Sequence, residues 1–274
     1  MKLQLQKKIK KVVVQKCTFV SCVEKISIPP LKKWFRTWWV KVYKAQCRKE
    51  EKIKQGMRKV HEDLVSKGFM TKLDQMDEDQ RKFIMESKFW HYHIWRIVYK
   101  ADSISTPVRI VVDPTMTGLN LILAKGEKNM ESISGIVTWN RTFTLAWSSD
   151  ISKLYNQLHL EKESLPYSLF LYSEALDPQV EPEVWVMTRA WYGVTPTGNQ
   201  ASLAIEKLVN MNKEKYPESQ TPLLAARYVD DITPGCYTEE QRSKQINDVT
   251  SVLSLGGFAL KYVTKLGEDP PPEA

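Results

Sequence analysis

Between residues 142 and 263 the chain alternates strand-type and helix-type patterning in an order that few folds accommodate. Residues 142–148 are a strand pattern that ends at Asp150. Thr195 to Gly198 form a turn, and a helix follows with Ala201, Ala204, Ile205 and Leu208 on one face. Residues 223–229 read as a strand, Asp230–Asp231 as a tight turn, and 232–237 as a short return strand. Pro234 would confine that return to a sheet edge. A helix carrying Ile246, Val249, Val252 and Leu253 is then stopped by Gly256–Gly257, and residues 258–263 are the last strand.

That order is β-α-β-β-α-β, a ferredoxin-like antiparallel sheet with helices on one face, in an α+β protein. In such a sheet the first strand lies beside the hairpin strands. Asp150 is therefore expected to meet Asp230 and Asp231, which are 80 residues further on. Taken alone, Tyr228-Val229-Asp230-Asp231 reads equally as a hairpin turn, because Asp favours turns. Convergence changes the balance. Carboxylates ~4 Å apart repel by roughly 1 kcal/mol in water and about 4 kcal/mol at an effective dielectric of 20. Such a group needs protons or cations, and oxygen-only ligands suit Mg²⁺.

The first half is less regular. Residues 60–89 are helical and charged, and residues 90–99 turn aromatic and β-branched. Ser, Thr and Pro follow at 103–107, and a strand resumes over 108–112. The two strands read as a hairpin with Lys100 and Arg109 on its arms. Trp34, Trp38 and Val42 recur every four residues, so 31–47 fits a basic amphipathic helix. Nucleic-acid stacking, a membrane surface and an ordinary packing face all suit that pattern.

Charge is unevenly placed. Residues 1–54 hold 16 Lys/Arg against Glu24, Glu50 and Glu51, a local net of +13 in a chain that nets +8. This basic N-terminal extension suits a polyanionic partner, and a solvated tail fits it as well. No apolar run is long enough for a membrane span, and the 12–23 stretch, broken by Gln15 and Lys16, makes a poor signal peptide. Cys17, Cys22, Cys47 and Cys236 show no CxxC or Cys/His spacing and read as reduced thiols. An intracellular location, cytoplasmic or nuclear and not secreted, is expected.

Five segments, in order over roughly residues 60–265, carry a family resemblance. Val108-Arg109-Ile110-Val111-Val112-Asp113 followed by Gly118-Leu119-Asn120 resembles the fingers hairpin of reverse transcriptases. Asp150-Ile151-Ser152-Lys153-Leu154-Tyr155 is similar to their first palm motif, and Tyr192 to Ala201 to the turn and helix that pack against nucleotide and template. Tyr228-Val229-Asp230-Asp231 resembles the metal-binding hairpin, and Gly256-Gly257-Phe258-Ala259-Leu260-Lys261-Tyr262 the step after it. The flavour is that of Bel–Pao-type long-terminal-repeat retrotransposons.

The resemblance implies fingers and palm over 55–266, after the extension 1–54 and before a disordered tail 267–274. It implies an RNA-directed DNA polymerase acting on a template with primer and deoxynucleoside triphosphates, with two Mg²⁺ ions for which Mn²⁺ may substitute. Asp150 and Asp230 would bind metal directly, Asp231 more weakly, and Ile151 through its carbonyl. Tyr155 matches the steric gate against ribose. Arg109 and Lys100 match the cations that grip the triphosphate, Lys100 across a loop of unusual length. Gly198 fits close approach to the nucleotide, and Thr197 stands where relatives carry Gln. Lys261 either protonates the departing pyrophosphate or is a solvated strand-end lysine. Because the chain stops at Ala274, the thumb is expected to be absent, with a thumb or ribonuclease H segment as a missing partner and weak activity alone. The alternative is a catalytically idle, retroelement-derived nucleic-acid-binding protein.

Overall fold

A computed structural model of the chain describes residues 33–101, 103, 107–126 and 132–269, the side chains of 33–39 aside. The expectations for residues 1–32, for the side chains of Trp34 and Trp38, and for the Pro-rich tail 270–274 lie outside the described residues. The strands, in chain order, are β1 (Met70–Lys72), β2 (Trp95–Tyr99), β3 (Val108–Val112), β4 (Leu145–Ile151) and β5 (Leu169–Tyr172). They continue with β6 (Glu183–Met187), β7 (Arg227–Tyr228), β8 (Asp231–Ile232), β9 (Gly235–Cys236) and β10 (Leu260–Lys265). The chain divides into two compact units. Of the described residues, the first holds those from Lys33 to Lys125 and His159–Thr197, and the second holds those of Gly126–Leu158 and from Gly198 to Asp269.

In the first unit β1, β6 and β5 form one antiparallel sheet and β2 and β3 a separate hairpin. The expected hairpin is present, with Trp95 opposite Val112 and Val98 opposite Arg109. The helix Lys33–Cys47 is also present, and Tyr43, Gln46 and Cys47 turn inward. Gln46 accepts at Oε1 from the Ile97 N–H at 3.1 Å. Its described face is thus a packing face, continuous with the core that Met57 and Leu64 build against Trp95, Tyr172 and Trp185.

The charged stretch 60–89 differs from expectation. The helix Glu51–Ser66 stops where Gly68 takes φ +66, and the Phe69 N–H returns to the Leu64 carbonyl. Phe69 and then Met70, the first residue of β1, are buried rather than extending a helix. A second helix, Glu78–Glu86, starts afresh under an Asp77 cap that accepts from the Asp79 and Gln80 N–H groups.

The second unit has the strand order β10-β4-β8-β7, all antiparallel, with β9 also paired to β4. The helices Thr197–Asn212 and Glu239–Leu255 supply the expected apolar residues: Ala201, Ala204, Ile205, Leu208, Val249, Val252 and Leu253 are all buried. Trp147 donates from Nε1 to Gln245 Oε1 at 3.0 Å, tying β4 to the second helix.

Two strand expectations are corrected here. Residues 223–229 are mostly not strand: Thr221–Ala225 is a π-helical turn, and only Arg227 and Tyr228 extend. Pro222 sits in the first turn, where no N–H is needed, and the turn buries Leu223 while the Ala226 N–H returns to the Thr221 carbonyl. The return strand is an edge only in part: β8 lies between β4 and β7, while β9, after Pro234, pairs with β4 alone among the described strands. Pro234, which has no N–H, splits it into β8 and β9. Its carbonyl accepts from the Trp147 N–H at 3.2 Å. At Gly235 a Cβ would stand 2.2 Å from the Phe143 ring, so only glycine fits.

Among the described residues no helix is long and apolar enough to cross a membrane. Cys47 and Cys236 are buried free thiols.

Candidate active site

Strand β4 places the first carboxylate. Trp147, Ser149 and Ile151 face inward, so alternation turns Ser148 and Asp150 to the other, half-exposed face. The antiparallel register sets Asp150 directly opposite Asp231 and Ser149 opposite the fully buried Ile232. Residues opposite one another in an antiparallel pair share a face, so Asp150 and Asp231 stand on the same open side. Like charges so placed are destabilising. The Ile151 N–H donates to the Asp230 carbonyl at 2.9 Å and fixes the strand end to the tip.

The tip is a two-residue loop, Val229–Asp230, closed by the Tyr228–Asp231 pair. Val229 has φ +58, a left-handed conformation that β-branched residues rarely adopt. Arg227 spans the turn from below, donating from Nη1 to the Val229 carbonyl at 2.6 Å and from Nε to the Leu223 carbonyl at 3.0 Å. Burial pulls its guanidinium down to about 10, against the pull of Tyr155 and Asp230.

Burial raises the Asp230 pKa, and the Asp150 charge adds to the rise. Asp231 is raised by burial and then by Asp230 and Asp150. Lys261 opposes both shifts. Its Nζ lies 2.9 Å from Asp150 Oδ2, so this exposed strand-end lysine is also an ion-pair partner of the site. Asp150 Oδ1 is buried with no hydrogen-bond partner. Tyr155 sits in a short 3-10 turn, Leu154–Gln157, entered through Lys153 at φ +48. Burial and then the Asp230 charge raise its hydroxyl pKa.

Among the described residues no three Asp, Glu, His or Cys side chains stand close enough together to hold a metal ion. The backbone gathers the three aspartates, while their carboxylates are not drawn into one ligand cluster and an ammonium neutralises Asp150. The donor set nevertheless fits a hard cation. All donors are oxygens, one oxygen lacks a partner, and two carboxyls are held up by burial and mutual repulsion that positive charge would relieve.

The remaining expected residues fall as follows. Asp150, Ile151, Tyr155, Asp230, Asp231 and Lys261 belong to the second unit, as does Gly198, while Lys100, Arg109 and Thr197 belong to the first. Arg109 is exposed on β3 and close enough to Tyr192 to lower that buried hydroxyl's raised pKa. The Lys100 N–H closes the hairpin on the Pro107 carbonyl at 2.8 Å. Thr197 is buried, with a hydroxyl that finds no partner. A Cβ on Gly198 would meet nothing within 4 Å.

Two residues with structural consequence carried no assigned role in the sequence. Arg227 is one; a charged residue inside an otherwise apolar strand pattern was its only signal. Asn120 is the other. It donates to the Gly193 carbonyl at 2.8 Å and accepts from the Thr195 N–H at 2.9 Å, holding the turn before Thr197.

A five-stranded antiparallel sheet with aspartates paired across β4 and β8 is the arrangement to compare with known proteins. No family model matches the chain, and no curated protein matches it in sequence. Among solved structures it is similar to the crystal structure of the prototype foamy virus protease–reverse transcriptase, with a TM-score of 0.54 and 18% identity. The match covers 77% of this chain and 24% of that one. The chain thus has a reverse-transcriptase-like fold, and it spans about a quarter of the viral protein's length.

Proposed function

We propose that the chain is the fingers and palm part of an RNA-directed DNA polymerase, of the kind found in Bel–Pao-type retrotransposons, with the second unit as a ferredoxin-like palm. The observation that supports this most is the direct pairing of Asp150 with Asp231, with Asp230 at the adjoining tip, in a chain of reverse-transcriptase-like fold.

The reaction joins a primer 3′-oxygen to the α-phosphorus of a deoxynucleoside triphosphate and releases pyrophosphate. Two Mg²⁺ ions, or Mn²⁺ in their place, when bound supply activation of the 3′-hydroxyl and neutralisation of the phosphates. Asp150 and Asp230 would hold them directly, the Ile151 carbonyl would assist, and Asp231 would bind more weakly. Lys261, released from Asp150, stands ready to donate a proton to the leaving pyrophosphate. The Tyr155 ring fills the space a ribose 2′-hydroxyl needs, so Tyr155→Ala should raise ribonucleotide incorporation; unchanged selectivity would remove that role. Arg109, with its planar fork, and Lys100 bind the triphosphate, while Thr197 and Gly198 lie along the nucleotide. The net positive charge of residues 1–54 suits a nucleic-acid partner.

A second reading, a catalytically idle nucleic-acid binder, draws on one observation: Lys261 pairs with Asp150 while, among the described residues, no three acidic side chains gather at metal-holding distance. Mn²⁺ binding and single-nucleotide extension of a primer on an RNA template separate the two. The polymerase reading expects both, with extension abolished in Asp230→Asn. Neither activity in the parent chain would leave the binder.

A further inference from the structure

We infer that Arg227 is a positioning residue for the carboxylate site: it pins the left-handed hairpin tip that carries Asp230. The inference deepens the polymerase reading and rests on it for its functional consequence.

The argument starts from Val229. A two-residue hairpin loop with positive φ at its first position is ordinarily given to Gly, Asn or Asp. A β-branched residue there persists only where its surroundings over-determine it. The surroundings are Arg227. Both hydrogen bonds it makes go to backbone carbonyls, one to Val229 in the loop and one to Leu223 in the π-helical turn. Leu223 is fully buried, so that anchor does not move with solvent. The guanidinium is a rigid brace between a buried carbonyl and the strained loop.

Without the brace the loop is free to relax to negative φ at Val229. That rotation turns the Val229 carbonyl away from Arg227 and carries Asp230 with it, both its carboxyl and its own carbonyl, which receives the Ile151 N–H. A lysine keeps the charge but lacks the fork geometry needed to reach both carbonyls. Glycine at 229 would hold the same φ without strain and so should make the brace dispensable.

The test compares the full chain with Arg227→Lys, Arg227→Gln and Arg227→Gln/Val229→Gly by amide hydrogen exchange and by Mn²⁺ binding followed by electron paramagnetic resonance. Exchange in a peptide spanning 226–233 should quicken about tenfold or more in both single variants, as loss of a hydrogen bond of this kind implies. Exchange in the helix Glu239–Leu255 should stay as in the parent. Apparent Mn²⁺ affinity should fall about tenfold in parallel, and Val229→Gly should restore much of both in the Gln background. If Arg227→Gln loosens the whole chain, Arg227→Lys decides. Parental protection at the tip in the lysine variant, or no rescue by glycine, would overturn the brace. A parent chain that binds no Mn²⁺ would sink the polymerase reading instead, and the exchange comparison would still judge Arg227.

Discussion

Replacing Asp230 by Asn should abolish nucleotide addition and, at the same time, make the protein more stable. The stability gain follows from the environment of the carboxyl. Burial and the charge of Asp150 both disfavour its ionised form, and Lys261 and Arg227 offset this only in part. Two carboxylates ~5 Å apart repel by about 3 kcal/mol at an effective dielectric of 20. Solvent at this half-exposed site and the nearby cations reduce the net penalty to about 1 kcal/mol. Asn keeps the shape and removes the charge, so the melting temperature at pH 7 should rise by roughly 2–4 °C. The pH dependence fixes the cause. A carboxyl whose folded pKa is raised penalises folding above that pKa, and the penalty fades as pH falls through it and vanishes below the unfolded value near pH 4. The stabilisation by Asn should therefore shrink steadily between pH 7 and about pH 4. Urea or thermal unfolding of parent and variant across that range measures it, in metal-free buffer. A variant less stable than the parent at pH 7, or a gain that does not change with pH, would refute the electrostatic account.

Three further outcomes are expected. Gly235→Ala should destabilise by about 1–3 kcal/mol because its methyl meets the Phe143 ring, and Phe143→Ala in that background should recover part of the loss in urea titrations. His61 is buried against Tyr172 and Trp185, and burial lowers its pKa to about 4, so the ring stays neutral in the fold. A depressed histidine pKa gives stability that is present above about pH 6.5 and lost as pH falls toward the folded value; His61→Phe should flatten that loss, which amounts to roughly 3 kcal/mol at most. Gly198→Ala should leave folding unchanged or improve it by up to about 1 kcal/mol, since nothing lies near the new methyl. It should also raise the KM for nucleotide, and an unchanged KM would show that the nucleotide does not approach this backbone.

The parts of the fold written in regular periods were legible before the structure. Ala201, Ala204, Ile205 and Leu208 recur at helical spacing and are all buried, and the β2–β3 hairpin follows from the aromatic and β-branched runs around a polar turn. The misread segments are those where local pattern and tertiary demand part. Leu223 looks like a strand residue, yet Pro222 starts a helical turn that buries it equally well. Gly68 looks neutral inside a charged run, yet its left-handed φ ends the helix. The meeting of Asp150 with Asp231 was legible from element order alone. The Lys261 ion pair was not, because a strand-end lysine carries no mark of its partner. Arg227 was hidden for a deeper reason: it binds carbonyls, which every residue has, so no residue type elsewhere betrays the contact.

The facing of Asp150 and Asp231 across β4 and β8 also makes this region sensitive to length more than to identity. Deleting or inserting one residue anywhere from Arg227 to Ile232 would shift β8 by a step and send Asp231 to the inner face, where Ile232 now packs. A library of single-residue insertions should thus find the neighbouring loops permissive and these six positions silent.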